Sequence, residues 1–174
     1  MKLMHQKLIN LLYISFIIIL TSFSARSAED LKSIGKFKDW ETFAVNENNN
    51  KICFAQSIPI LRAPKKFERN PSRLFVSFRP TEDIKDEVSA TSGYTFQKEK
   101  IVKAKSGKKT FDFFAQENFA WILDTKEEQK FIQAMKKASR VMIIGRTDKG
   151  KQTIDHYSLM GFSKAYTTAK KNCS

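Results

Sequence analysis

TFDFFAQENFAWIL, residues 110–123, is the stretch on which the fold reading turns. Two short runs, 110–114 and 119–123, are rich in aromatic residues that suit a pleated, half-buried surface. In the second run Phe119, Trp121 and Leu123 recur at period two and share a face. Such aromatic density is expected at the centre of a core. Upstream, Leu74, Val76 and Phe78 fall on one face of a strand at residues 73–79 that Pro80 stops, and Ser106-Gly107-Lys108-Lys109 is a turn.

Further upstream, 36–45 and 51–57 flank Asn46-Glu47-Asn48-Asn49-Asn50, whose amide side chains favour a hairpin turn. Residues 57–72 carry Pro59, Pro64 and Pro71 with Lys65, Lys66 and Arg69, which predicts an exposed connection. The stretch 81–90 is acidic and weakly periodic, and 94–104 is compatible with an exposed strand. Downstream, Thr125 and Glu128 have capping-box spacing, and Phe131, Ile132 and Met135 recur at helical intervals to about Lys137. The runs 140–146 and 152–159 form a hairpin around Asp148-Lys149-Gly150, and Phe162, Ala165, Tyr166 and Ala169 predict a last helix ending near Cys173. These short, turn-bounded strands predict a mainly β domain. The expected form is a sandwich-like or curled antiparallel sheet with one internal helix and a short C-terminal helix.

The first residues read as an export signal. A basic start through Lys7, an apolar run at 8–23, and small residues at Ala25 and Ser27 predict a signal peptide over residues 1–27, cleaved after Ser27. The apolar run falls short of the ~20 residues a spanning helix needs. No Cys lies near the cleavage point, which excludes a bacterial lipid anchor, and nothing after residue 28 approaches a membrane span. Residues 28–174 are then a single domain of ordinary length, which excludes a multidomain enzyme. Composition points the same way: 41% hydrophobic residues with 15 Phe and only 6 Gly supply a sizeable core and argue against disorder. An oxidising destination makes the two cysteines, Cys53 and Cys173, readable as one disulfide tying the C-terminus to an early strand. Two Cys and one mature His cannot supply a zinc site of the Cys/His kind, and the residues indicate no metal or other cofactor.

Motifs for catalysis are weak. Gly145-Arg146-Thr147-Asp148-Lys149-Gly150-Lys151-Gln152 nearly spells a phosphate-binding loop, but Gln152 stands where a magnesium-ligating Ser or Thr belongs and a strand follows. Asp155-His156-Tyr157-Ser158 suggests a hydrolase using His156 and Ser158. Strand alternation turns Asp155 away from both, and no Gly-x-Ser-x-Gly elbow occurs. Neighbouring acids at Glu82/Asp83, Asp86/Glu87 and Glu127/Glu128 would have to converge across a cleft to act as a glycosidase pair.

The charge is more informative. Lys and Arg total 31 against 18 acids, a formal net charge of +13, of which only Lys2, Lys7 and Arg26 leave with the leader. One basic cluster is Lys65, Lys66, Arg69 and Arg73. A second, Lys98, Lys100, Lys103, Lys105, Lys108 and Lys109, has spacing that places several lysines on the exposed face of an edge strand and its turn. Two accounts compete: lysines guarding a sheet edge against aggregation, and an anion-binding surface for an anionic envelope component or an acidic protein. Nucleic acid suits the charge but not an exported protein. A structural or assembly factor whose charge is incidental is the remaining class.

The motif residues carry a resemblance. Ser92-Gly93-Tyr94-x-Phe96, Phe119-Ala120-Trp121, Ala134-Met135-Lys136, Gly145 to Gly150, and Asp155-x-Tyr157-Ser158-Leu159-x-Gly161-Phe162 with Ala165 and Cys173 resemble the invasion-associated locus B family of Gram-negative bacteria. Trp40 and Cys53 are similar to its amino-terminal part. The resemblance implies an exported envelope protein, periplasmic, outer-membrane associated or secreted, tied to host-cell invasion in some pathogens and without assigned enzymatic chemistry. It also marks Trp40, Trp121, Tyr157, Gly161 and Phe162 as the family-motif core.

Overall fold

A computed structural model describes residues 31–47 and 50–173; the leader and its cleavage point lie outside the described residues. Among the described residues eleven strands run in chain order: β1 Lys32–Phe37, β2 Trp40–Glu47, β3 Asn50–Ser57, β4 Leu61–Ala63, β5 Arg73–Arg79, β6 Ile84–Thr91, β7 Val102–Ser106, β8 Lys109–Gln116, β9 Phe119–Trp121, β10 Arg140–Arg146 and β11 Gln152–Ser158. Helix α1, Thr125–Lys137, lies between β9 and β10, and α2, Phe162–Asn172, ends the chain. All the strands belong to one open antiparallel sheet in the order β1-β2-β3-β5-β6-β9-β8-β7-β10-β11-β4. The mainly β expectation with an internal and a C-terminal helix holds.

Strand β8 turns the corner of this sheet. Its first five residues, 109–113, pair with β7, and its last three, 114–116, pair with β9. A strand shared in this way bends one sheet into two facing halves. The halves meet through the Trp40 indole on β2, which donates 2.9 Å to the Ser158 carbonyl at the end of β11. The interior between them is packed by Leu74, Val76 and Phe78 from β5 as predicted, by Phe113 and Ile143, and by both helices. On α1, Phe131 meets the Phe111 and Phe113 rings at 5.0 and 5.5 Å. On α2, Phe162 meets Trp40 at 4.8 Å and Tyr166 meets Phe78 at 5.7 Å. Such ring pairs each add about 1 kcal/mol beyond the area they bury.

Cys53 on β3 and Cys173 at the end of α2 form the disulfide, with Cα atoms 5.8 Å apart. The motif around Gly161 does its work at the opposite, N-terminal end of α2. Ser158 Oγ accepts the Met160 N–H at 3.2 Å, the Met160 carbonyl accepts from Asp39 N–H at 3.3 Å, and Gly161 sits at φ +92°. A Cβ on Gly161 would lie 1.8 Å from the Phe37 carbonyl oxygen, so only glycine lets the β1–β2 turn press against the start of α2.

Several expectations are corrected. Trp121 is half-buried and Phe119 and Leu123 are exposed, while Ala120 and Ile122 point inward. The inward row at β9 is Ala90–Ala120–Ala115, small side chains that let α1 pack close over β6 and β8. Trp121 therefore lies on the outer face and not at the centre of the core. The connection at 57–72 is not all exposed: it contains β4, which pairs with β11, and Arg69, whose side chain is buried. Residues 84–91 are a full strand, and 94–101 are a loop ahead of β7. The cap of α1 is Asp124, which accepts from Glu127 N–H at 2.8 Å; Glu128 instead turns inward. The second lysine cluster does not lie on an edge strand, because β7 is hydrogen-bonded to β8 on one side and β10 on the other.

Candidate binding surface

Residues of β7 alternate strictly: Val102, Ala104 and Ser106 are buried, and Lys103 and Lys105 face out. Register fixes their neighbours. Lys105 stands beside Met142 of β10 and Thr110 of β8, and Lys103 beside Ile144 and Asp112. One strand further, Met142 stands beside His156 and Ile144 beside Ile154. The outer face of the second half is thus a strip of half-buried apolar side chains bordered by lysines. Arginines mark both ends of β10. Arg140 lies next to the β7–β8 turn that carries Lys108 and Lys109, and the backbone of Arg146 accepts from Gln97 N–H at 2.9 Å, beside Lys98 and Lys100. All six lysines of the cluster are exposed. Lys103 is partly neutralised by Asp112 at 2.9 Å.

The other basic cluster is structural in part. Arg69 donates to both carboxylate oxygens of Asp155, at 2.8 Å from Nη1 to Oδ2, and to the Ser92 carbonyl at 2.6 Å. Arg69 and Asp155 are 1% and 0% exposed, so the pair is sealed inside the sheet. Burial of this kind is tolerated only when the charges satisfy each other. Beside it, Tyr94 Oη and Thr153 Oγ1 lie 2.6 Å apart, and burial pushes the Tyr94 and Tyr157 phenols up.

The hydrolase constellation does not assemble among the described residues. Asp155 is committed to Arg69, Ser158 Oγ to Met160, and His156 Nδ1 is buried without a hydrogen-bond partner. The neighbouring acids are likewise split. Asp86 points inward and accepts from Tyr166 Oη and Gln129 Nε2, both at 2.6 Å, while Glu87 points outward to Arg79. Glu82 and Asp83 hold Arg79 and Lys85 on the surface. Glu127 pairs with Lys130, and Glu128 accepts the Val88 N–H at 2.6 Å from inside. Burial, against the pull of the Val88 N–H and with help from Glu87 and Asp86, pushes Glu128 up to about 7. Among the described residues no three His, Cys, Asp or Glu side chains are grouped to hold a metal ion.

No protein-family model matches the chain, and no curated protein does. Among solved structures it superposes on the crystal structure of invasion associated protein B from Bartonella henselae, with a TM-score of 0.55 over 80% of this chain and 98% of that one. The two share a fold. Their identity is 12%, so the likeness is one of architecture. The motif residues and the structural likeness point to the same fold: Trp40, Tyr157, Gly161 and Phe162 all sit where the β1–β2 turn, the end of β11 and α2 meet. Trp121 stands apart from them on the outer face. That junction explains the motif as packing, with no reaction required of it.

Proposed function

We propose that the chain is an exported, non-catalytic binding protein of the cell envelope, acting in the periplasm or at the inner face of the outer membrane. The lysine-bordered face of β7 and β10 holds an anionic envelope surface, that of phosphorylated glycolipid or anionic phospholipid. The observation that carries this reading is the central place of β7. Lysines protect a sheet edge by interrupting a row of unpaired backbone groups; β7 has no such row, so edge protection does not account for Lys103 and Lys105. A strip of Met142, Ile144 and Ile154 with lysines along its β7 side and arginines at the ends of β10 suits a surface that is charged at its head groups and apolar beneath. Export is supported by the signal-like leader and by the Cys53–Cys173 bond, since disulfides persist in oxidising compartments. Among the described residues no helix is long and apolar enough to cross a membrane. The relative in fold is named for invasion; for this chain the reading stops at the envelope.

Flotation with vesicles containing phosphorylated glycolipid or anionic phospholipid tests it. A basic side chain near an anionic surface contributes about 1 kcal/mol. Replacing Lys100, Lys103, Lys105 and Lys108 by Gln should therefore lower partitioning at least about tenfold. Binding by the parent must also weaken with salt, because exposed charges are screened within about 8 Å at physiological ionic strength. Retention on an acidic protein but not on vesicles would transfer the face to a protein partner.

A further inference from the structure

The outer face of the first half carries a different surface, independent of the basic one. Register aligns Phe54 with Ser77, Phe75 with Ser89, Ser77 with Glu87, and Ser89 with Trp121. Aromatic rings and small hydroxyl side chains therefore alternate across β3, β5, β6 and β9. Together with Phe119 and Arg79 they line an open cleft of about 440 Å³, within the range of small-molecule sites. None of these rings belongs to the core; the inward partners on the same strands are Ala55, Leu74, Val76, Val88 and Ala120. The Ser77 and Ser89 hydroxyls line the cleft and make no hydrogen bond within the protein among the described residues.

The charge at the end of the cleft narrows the occupant. Arg79 Nε donates 3.0 Å to Glu82, and its Nη atoms donate 3.1 and 2.9 Å to the two oxygens of Glu87. Two carboxylates on one guanidinium leave a net negative charge, which repels an anion. An alkyl chain would bury the Ser77 and Ser89 hydroxyls without partners, a loss comparable to what its own burial gains. A peptide strand finds no free edge, since β3, β5, β6 and β9 are each paired on both sides. A pyranose meets every condition. One face of the ring is a patch of C–H groups that rests on the electron-rich face of an aromatic ring. Its rim of hydroxyls both donates and accepts, as Ser77, Ser89 and the Arg79–Glu87 pair do.

We propose that this cleft binds an uncharged saccharide, stacked on Trp121 and Phe75 with its hydroxyls turned to Ser77, Ser89 and the Arg79–Glu87 pair. Saturation-transfer NMR on the whole exported chain tests this with neutral gluco-, manno-, galacto- and N-acetylglucosamine tetrasaccharides. At least one of them is expected to receive saturable transfer at its ring C–H groups, unaffected by salt. Trp121→Ala and Phe75→Ser should abolish that transfer while each variant stays fully folded at the temperature of the measurement, and Ser77→Ala with Ser89→Ala should weaken it. Trp121→Phe, which keeps a ring, should retain part of it and guards against a folding defect in the Ala variant. No transfer to the parent from any of the four classes, or transfer to Trp121→Ala equal to the parent's, overturns the proposal. The quadruple Lys→Gln variant should bind the saccharide like the parent, so failure of the basic face and failure of this cleft are separate results.

Discussion

The two outward faces of the curled sheet are built from the same antiparallel register and carry opposite chemistry. On the first half, β3, β5, β6 and β9 present Phe54, Phe75, Phe119 and Trp121 with serines between them and a balanced Arg79–Glu87 pair. On the second, β7 and β10 present Lys103, Lys105, Met142 and Ile144 between arginines. Inside, the halves do not differ in kind: both contribute to one continuous core, and Trp40 links them through Ser158. In this molecule the interior fixes the architecture, while the two outer faces carry different side-chain chemistry. Aromatic content alone does not mark the core.

The largest effect should come from opening the clasp behind the aromatic half. The Cys53–Cys173 bond spans a sequence separation of 120, and the chain-entropy relation assigns a loop of that size roughly 4 to 5 kcal/mol. Serine at both positions should lower stability by about that much in urea unfolding. A loss of a few tenths would mean that the clasp adds nothing to the packing of α2 on β3.

A pair of tryptophan variants sharpens the contrast between interior and face. Trp40 is 1% exposed, ringed by Phe162 and hydrogen-bonded across the halves. Trp40→Ala should cost about 3 to 5 kcal/mol. Trp121→Ala, on the outer face, should cost about 1 kcal/mol or less. Equal losses in denaturant titrations would return Trp121 to the core and remove the aromatic cleft as a site.

Next in size is a pH effect confined to the interior under β6. Glu128 has an ordinary value of 4.5 and is held at about 7 in the fold. Between those values the folded chain keeps a proton that the unfolded chain has released. Its contribution is therefore fully present below 4.5 and is lost as pH rises through 7. Glu128→Gln keeps an acceptor for the Val88 N–H and should flatten this part of the melting-temperature profile relative to the parent. Parallel profiles for the two proteins from pH 4.5 to 7.5 would show that Glu128 is not protonated inside.

How much of this was legible in the sequence depends on how loudly each strand alternates. Residues 73–79, 125–137 and 140–146 show clear period two or helical spacing, and the structure gives them the boundaries the pattern predicts. Strand β6 was hidden because its inward slots hold Asp86, Val88 and Ala90, an acid and a small residue that blur the alternation. At β9 two opposite phases compete, and the aromatic one is the louder: Phe119, Trp121 and Leu123 recur at period two, yet Ala120 and Ile122 are the residues that point inward. The Arg69–Asp155 pair joins residues 86 apart, and no local pattern announces it. The lysines were legible as a cluster. Their place on a central strand was not, since the pairing of β7 with β10 is a long-range fact.

In the proposed function the basic face, and not the aromatic one, meets the anionic envelope. Flotation of the parent, the quadruple Lys→Gln variant and Trp121→Ala with vesicles of phosphorylated glycolipid, at low and physiological salt, tests it most directly. Salt-sensitive binding is expected of the parent and of Trp121→Ala, with at least about a tenfold loss in the lysine variant at an unchanged melting temperature. Equal binding by the lysine variant and the parent at low salt, or no binding by any of the three, would contradict it.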